Sequence, residues 1–202
     1  MRDVMILIPA AGASRRMRGR DKLLECVDGV AMLRRQACIA LATCAPVTVT
    51  LAPEAPARRA ALEELAVRIC TVADADEGMS ASLRAGAAHL PPGIAGVMIL
   101  PADMPDLTAE DLRRVIDAFE ADGGRTIIRA TAADGRAGHP VVFPAALVAE
   151  FAALRGDAGA RAILRRNADR IRAFVLPDER AVTDLDTPED WDLWRARRGD
   201  EG

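Results

Sequence analysis

The sequence lacks the features of two large functional classes, membrane proteins and nucleic-acid-binding proteins. It has no apolar run near the roughly 20 residues that a membrane-spanning helix requires, and its N-terminus shows no signal-peptide pattern. Acidic residues outnumber basic ones by 30 to 27, whereas a general nucleic-acid binder needs a basic face. We therefore expect a soluble, cytoplasmic protein that binds neither a membrane nor a nucleic acid.

Cysteine and histidine are also scarce. The cysteines are Cys26, Cys38, Cys44 and Cys70. They form no C-x-x-C pair and lie mostly in apolar stretches, so we expect buried thiols rather than disulfides or a zinc site. The chain has 2 histidines and no serine in a nucleophile-elbow pattern, which disfavours a Ser-His-Asp hydrolase.

Lysine is almost absent: Lys22 is the only lysine among 27 basic residues. It ends a loop, residues 10–22, whose other basic residues are Arg15, Arg16, Arg18 and Arg20. An ammonium is a compact charge that fits one phosphate oxygen, whereas a guanidinium makes a planar, two-pronged contact. The loop therefore predicts a polyphosphate cradle. The alternative is that its glycines only turn the chain and its arginines form a solvated surface.

The start of this loop is made of small residues, Ala10, Ala11 and Gly12, which let backbone N–H groups approach a phosphate chain or a base. The loop lacks the second glycine of G-x-G-x-x-G, and its lysine does not follow a glycine as in G-x-x-x-x-G-K-[ST]. NAD binding and standard phosphate-loop NTPase chemistry are therefore disfavoured.

Short apolar runs alternate with amphipathic stretches over the first 121 residues. This pattern predicts strands at 4–9, 47–51, 68–72 and 96–100, and helices at 32–43, 56–66, 80–89 and 109–121. The strands are too apolar to face water, so we expect a mostly parallel sheet with helices on both faces and the active site at the carboxyl ends of its strands.

The rhythm changes after residue 125. We predict strands at 125–130, 140–143 and 171–176 and helices at 144–154 and 158–166, with antiparallel additions to the sheet. No linker-like composition divides the chain, so residues 1–202 are expected to form one domain. A last helix begins after Asp186, where Thr187 can cap it and Pro188 fits its first turn.

Three further segments carry candidate ligands. Asp103 directly follows an apolar strand, where a carboxylate can hold Mg²⁺ or can simply shape a turn. In residues 78–82, Ser80 can face a base or ribose, or can be an N-cap. In Gly138-His139-Pro140, the imidazole can touch a substrate or hydrogen-bond the backbone.

Taken in order, segments 9–22, 77–83, 102–105, 138–140 and 184–190 resemble the molybdenum-cofactor cytidylyltransferase family. The resemblance implies a three-layer α/β/α, Rossmann-like nucleotidyltransferase fold and the use of CTP with Mg²⁺. The loop reads Ala10-Ala11-Gly12, and the resemblance links Ala-Ala-Gly to cytidylyl transfer and Ala-Gly-Gly to guanylyl transfer.

The resemblance also implies roles for individual residues. Arg16 and Lys22 would bind the triphosphate and act in catalysis with Asp103, although Arg15 is an alternative to Arg16. Mg²⁺ would lie on Asp103 and Asp186, with Asp184 as an alternative second ligand. The cytosine would be read by Gly78, Ser80 and Ser82. The acceptor would be flanked by Gly138, His139 and Pro140.

The function implied is transfer of CMP from CTP to the terminal phosphate of the molybdenum-molybdopterin cofactor, with release of pyrophosphate. A recipient molybdoenzyme of the xanthine dehydrogenase type would then contact the protein transiently. Two alternatives remain open. One is a nucleotidyltransferase of the same fold with another base or acceptor, such as guanylyl transfer or a sugar phosphate acceptor. The other is a non-catalytic protein that binds and delivers the cofactor.

Overall fold

The computed structural model describes residues 3–156 and 159–199. Its strands are β1 Val4–Pro9, β2 Cys26–Val27, β3 Val30–Ala31, β4 Val47–Leu51, β5 Arg68–Thr71, β6 Gly96–Ile99, β7 Ile127–Thr131, β8 Ala137–Pro144 and β9 Ile171–Val175. Its helices are α1 Met32–Leu41, α2 Pro56–Ala61, α3 Met79–Ala87, α4 Ala109–Ala121, α5 Ala145–Val148, α6 Arg161–Arg166 and α7 Pro188–Gly199. Strands and helices alternate over the first two-thirds of the chain, as predicted.

A 7-stranded sheet organises the fold, in the order β5-β4-β1-β6-β8-β7-β9. The first four of these strands are mutually parallel. Strand β8 is antiparallel to both β6 and β7, and β9 is again parallel to β7. The predicted mostly parallel sheet with antiparallel additions is confirmed, and β8 is the strand that runs against the others.

Both faces of the sheet are buried, because alternate residues of β1 pack into different cores. Ile6 and Ile8 join a cluster that includes Leu33 of α1 and Phe119 of α4. Leu7 joins a second cluster on the other face, under α3, α5 and α6. Helices therefore cover both faces, which gives the three-layer α/β/α arrangement. Within the described residues, no helix combines the length and apolar character that crossing a bilayer requires.

Two predicted helices are shorter than expected. The helix predicted at 56–66 ends at Ala61, and Glu64 beyond it adopts a left-handed backbone (φ 65°) that a helix cannot contain. The helix predicted at 144–154 divides into α5 and a 3-10 segment, Ala149–Ala153, which together bury Leu147 and Phe151. The prediction at 158–166 begins outside the described residues, and α6 starts at Arg161.

The prediction of buried thiols is wrong for three of the cysteines. Cys70 is buried, but Cys26, Cys38 and Cys44 are exposed. Cys38 lies on the solvent side of α1, whose buried face includes Leu33 and Ala37. Local apolar composition indicated burial, whereas the side of the helix decides it.

A third apolar cluster joins the first loop to the end of the chain. It contains Met17, Val27, Met32, Leu185, Trp191 and Trp194. The two tryptophan rings pack edge to face, with centroids 6.0 Å apart. Thr187 Oγ1 accepts a hydrogen bond from the Asp190 N–H at 3.2 Å, so α7 starts with the predicted threonine cap. The cluster holds the segment before α7 beside the loop that carries Lys22.

Candidate active site

Lys22, Asp103 and Asp186 meet at the carboxyl end of β6. Leu100 extends β6 by donating its N–H to the Leu7 carbonyl at 3.0 Å, and the loop after it carries Asp103. The Leu185 N–H donates to the Asp103 carbonyl at 3.1 Å, which fixes Asp186 beside this loop. Lys22 Nζ donates to Asp103 Oδ2 and, at 2.6 Å, to Asp186 Oδ1. Three segments that are distant in sequence thus form one charged cluster.

This cluster is largely withdrawn from water. The exposed fractions of the side chains are 18% for Lys22, 16% for Asp103 and 19% for Asp186. Burial alone would lower the pKa of Lys22, but Asp103 and then Asp186 raise that pKa above its ordinary value. The ammonium therefore stays charged and balances two carboxylates in a partly desolvated site.

The two carboxylates fit a divalent cation. Asp103 and Asp186 already converge on one positively charged atom, Lys22 Nζ, so their oxygens can share a cation. Across residues 3–156 and 159–199, no three side chains of the types His, Cys, Asp and Glu gather into a metal cluster. A hard cation that takes one or two carboxylates and completes its shell with phosphate oxygens and water, as Mg²⁺ does, suits this donor set.

Asp184 and Asp186 have different contacts. Asp186 binds both Lys22 and Arg16, the latter through Nη2 to Oδ2 at 2.7 Å. Burial raises the pKa of Asp184, and the charges of Asp103 and Asp186 raise it further. The charges of the cluster thus act on Asp184, whereas Asp186 bonds directly to Lys22 and Arg16.

The arginines of the first loop point in different directions. Arg16 lies on Asp186, whereas Arg15 lies 3.7 Å from Asp76 in an exposed pair. Arg18 binds Glu189 at 2.6 Å, and Arg20 binds Glu25 at 3.2 Å. Among these four, Arg16 is the one whose ion pair leads to the Lys22 cluster. Its side chain is 68% exposed, so the guanidinium can reach a bound anion.

Arg58 of α2 clamps the first loop, and sequence reasoning missed it. This arginine is 6% exposed and donates through Nε and Nη2 to the carboxylate of Asp21, at 2.6 and 2.8 Å. It also donates to the Ala10 carbonyl at 2.7 Å and to Ser14 Oγ at 3.1 Å. Burial opposes ionisation of Asp21, but the bonds from Arg58 outweigh burial and lower the pKa of Asp21. Both ends of the loop are therefore tied to one side chain.

Gly12 has unused space around it. A Cβ atom built on Gly12 meets no protein atom within 4 Å, and its φ lies outside the left-handed region. Neither packing nor backbone conformation therefore requires glycine at this exposed position. A ligand that passes close to the backbone would require it. Next to it, Ala11 is buried in a small cluster with Val72 and Ala81.

That contact brings together the two segments predicted to bind the nucleotide. Ala81 belongs to the segment 78–82, which begins at Gly78 (φ 91°) and continues into α3. Gly78 is the N-cap residue of α3, so Ser80 is not the N-cap. Ser80 and Ser82 are both buried, and within the described residues the Oγ of Ser80 has no hydrogen-bond partner. A buried hydroxyl without a partner is unusual and fits a polar ligand at this edge.

Gly138, His139 and Pro140 start β8. Gly138 is needed for packing, because a Cβ atom there would overlap the Ala181 carbonyl. The His139 N–H donates to that same carbonyl at 2.8 Å, and the His139–Pro140 peptide bond is cis. Burial and then the charge of Arg129 lower the pKa of His139 to about 4. The imidazole is therefore neutral near pH 7.

His89 and the start of α4 have simple local structures. His89 is exposed, and its Nδ1 lies 2.9 Å from the Ala85 carbonyl, which is a local helix contact. Thr108 caps α4, because its Oγ1 accepts a hydrogen bond from the Asp111 N–H at 3.2 Å and Asp111 Oδ2 accepts one from the Thr108 N–H at 3.0 Å.

Known proteins resemble this chain in sequence and in fold. In sequence, residues 6–171 match the family of the MobA-like NTP transferase domain. The crystal structure of Rv0371c from Mycobacterium tuberculosis H37Rv is 29% identical with a TM-score of 0.83, covering 94% of this chain and 95% of that chain. A structure of the same protein in complex with manganese is 26% identical with a TM-score of 0.78, covering 96% and 97%.

A more distant structure shares the fold alone. CMP:2-keto-3-deoxy-manno-octonic acid synthetase complexed with CTP is 16% identical with a TM-score of 0.76, covering 98% of this chain and 99% of that chain. No curated protein sequence matches this chain.

Proposed function

Because the chain belongs to the MobA-like NTP transferase family, we propose that it transfers CMP from CTP to the terminal phosphate of the molybdenum-molybdopterin cofactor. The observation that carries this proposal is the meeting of Lys22 with Asp103 and Asp186, beside a loop in which Gly12 leaves room for a ligand. A cation and a pair of carboxylates at the carboxyl ends of parallel strands suit a metal-bound triphosphate.

The reaction needs no nucleophile from the protein. An oxygen of the acceptor phosphate forms a bond to the α-phosphorus of CTP, and the bond from that phosphorus to the bridging oxygen of the β-phosphate breaks. Pyrophosphate leaves with the electron pair. Arg16 and Lys22 offset the negative charge on the triphosphate and on the leaving group, so catalysis consists of positioning and charge neutralisation.

Asp103 and Asp186 would hold Mg²⁺ in this proposal. When bound, the ion supplies positive charge shared between the carboxylates and the phosphate oxygens. The manganese complex of a related protein supports a divalent cation in this fold. The residues of this chain contribute the two carboxylates, and Lys22 keeps them close together.

Selection of cytosine follows from the first loop and the start of α3. Ala11 belongs to one buried cluster with Ala81 and Val72. We propose that its methyl group narrows the nucleotide pocket at the point where a glycine would widen it. Gly78, Ser80 and Ser82 then supply backbone and hydroxyl groups to the base. We propose that this pocket accepts a pyrimidine and crowds a purine.

The acceptor would enter beside Gly138, His139 and Pro140, and the dinucleotide product would pass to a molybdoenzyme. We place the whole reaction on one domain spanning the chain and in the cytoplasm. Assaying pyrophosphate release with each NTP, with and without molybdopterin, tests the proposal. Release with CTP only in the presence of molybdopterin supports it. Release with a sugar phosphate instead, or cofactor binding with no release, points to another acceptor or to a delivery protein.

A further inference from the structure

Two polar side chains, Arg129 and His139, lie close together beside the proposed acceptor entrance. Arg129 of β7 pairs with Val141 of β8, and its Nε lies 3.4 Å from the carbonyl of Gly138, the residue before His139. Side chains alternate along β7, so Arg129 lies on the same face as Ile127. The charges of Arg129 and Arg161 both act on the imidazole of His139. Ile127 and Val141 belong to the core that α6 covers, and α6 begins with Arg161.

Among the residues that the structure describes, no acid forms an ion pair with the arginines of this cluster. Within residues 3–156 and 159–199, neither Arg129 nor Arg161 has a carboxylate at ion-pair distance, and the Nε of Arg129 makes a long bond of 3.4 Å to the Gly138 carbonyl. Burial, and then the charge of Arg161, lower the pKa of Arg129. Arg58 is also buried, but it differs from Arg129 because the carboxylate of Asp21 is its close ion-pair partner. A partly buried guanidinium without an anion is unfavourable and is relieved when an anion binds.

An independent observation at the same point is an unused hydrogen-bonding atom of His139. The Nδ1 of His139 is buried and, among the described residues, has no hydrogen-bond partner. The tight contact of Gly138 with Ala181 fixes the backbone from which this ring projects. The Ile99 backbone is a hydrogen-bond partner of the ring, and because Nδ1 has no partner this bond belongs to the other nitrogen. A neutral imidazole has one N–H, so Nδ1 can donate to a phosphate oxygen when it carries that proton and can accept from a protonated phosphate oxygen when it does not.

The cluster lies next to the proposed metal ligands. The last paired residues of β6 and β8 are Ile99 and Val141, and His139 lies two residues beyond this pair, toward the loop that carries Asp103. Asp103 acts electrostatically on His139, in the opposite sense to the two arginines. An anion bound here would therefore sit close to the proposed site of transfer.

We propose that Arg129, Arg161 and His139 bind the phosphate group of the acceptor, which is a phosphomonoester. The inference rests on the proposed function for the identity of that phosphate, but the site itself is an anion site whatever the nucleotide. Arg129 supplies a two-pronged contact, Arg161 supplies charge from the exposed side, and His139 supplies an uncharged hydrogen-bonding nitrogen.

Titration with inorganic phosphate tests the site without any turnover. The chain has 2 histidines, so their ring signals in an NMR spectrum are easily followed at pH 7 and constant ionic strength. We expect the His139 signals to shift and saturate, while the His89 signals, from the turn after α3, stay in place. In Arg129→Gln and Arg161→Gln the saturable shift should be lost. Arg59→Gln, an exposed arginine of α2 near the opposite face of the sheet, should keep it.

Two results would overturn the assignment: a His139 signal that phosphate does not move, or an equal shift in both arginine variants. Arg161 is exposed, so its substitution should leave the fold intact even if Arg129→Gln fails to fold.

Turnover separates this inference from the proposed function. In the complete reaction, Arg129→Gln and Arg161→Gln should raise the KM for molybdopterin at least about tenfold and leave the KM for CTP unchanged, with partial recovery in Arg129→Lys. If wild-type protein makes no dinucleotide, the proposed function fails while the phosphate titration still reports on the site. If transfer occurs and both variants keep the wild-type KM for molybdopterin, the phosphate site is wrong and the proposed function stands.

Discussion

Lys22 Nζ lies 2.6 Å from Asp186 Oδ1, although the two residues are separated by 164 positions in the sequence. The same ammonium binds Asp103, so a single lysine joins the first loop, the end of β6 and the start of α7. The proposed chemistry depends on this junction, because it gathers the charges that a nucleoside triphosphate and its metal ion need in one place.

Replacing either cation of the proposed triphosphate site should slow transfer. Lys22→Ala and Arg16→Ala should each lower turnover with CTP at least about tenfold, because loss of a charge-assisted contact in a partly desolvated site costs about 1.5–3 kcal/mol. Arg20→Ala, in the same loop but paired with Glu25, is the matched control and should stay near the wild-type rate. Folded variants of Lys22 and Arg16 with wild-type turnover would refute the triphosphate assignment.

Removing the charge of Asp103 should weaken metal binding and abolish activity. Asp103→Asn keeps the shape of the side chain but not the carboxylate, so we expect almost no turnover and much weaker Mg²⁺ or Mn²⁺ binding. Asp186→Asn should weaken metal binding as well, because in the proposed site Asp186 shares the metal ion with Asp103. Metal titration by calorimetry measures both variants, and an unchanged metal affinity in Asp103→Asn would contradict its role as a ligand.

Breaking the clamp of Arg58 should cost stability. Arg58→Met leaves the carboxylate of Asp21 without its partner in a half-buried position, so we expect the free energy of unfolding to fall by about 2–4 kcal/mol. The neighbouring exposed Arg59→Met should change it by no more than about 0.5 kcal/mol. Denaturant unfolding measures both. Equal free energies of unfolding for the two variants would show that the contacts of Arg58 do not stabilise the fold.

The buried imidazole of His139 should make the protein less stable in mild acid. Its pKa is about 4 in the folded protein and near 6.5 when unfolded, so the unfolded chain binds the proton more readily. The contribution is fully present above pH 6.5 and is lost as the pH falls toward 4. Between pH 7 and pH 5 we expect a loss of about 1–2 kcal/mol in the free energy of unfolding from this group.

Comparison of variants isolates that contribution. His139→Gln should show a smaller loss between the two pH values, whereas His89→Gln, at an exposed position, should lose as much as the wild-type protein. The same pH dependence in His139→Gln would mean that other groups cause the acid sensitivity.

Much of this fold could be predicted because the information is local. The apolar run of β1 and the Thr187 cap are visible in a few consecutive residues, and parallel strands then bring their carboxyl ends to one edge. The contact between Arg58 and Asp21 could not be predicted, because nothing in a chain with 27 basic residues distinguishes one helical arginine from another.

The position of Arg129 beside His139 and the exposure of Cys38 could not be predicted, for related reasons. The position of Arg129 beside His139 depends on the register of β7 and β8, which includes an irregularity between residues 129 and 131 that the sequence does not reveal. The exposure of Cys38 depends on which side of α1 faces the sheet.

The choice of base tests the central claim most directly. CTP and GTP should compete for the protein in the presence of Mg²⁺ and molybdopterin, and the dinucleotide that forms should be identified. We expect a kcat/KM for CTP at least about tenfold above that for GTP, a difference of about 1.4 kcal/mol, and a narrower preference in Ala11→Gly. Equal use of the two nucleotides, or a guanine dinucleotide as the main product, would contradict the assignment as a cytidylyltransferase.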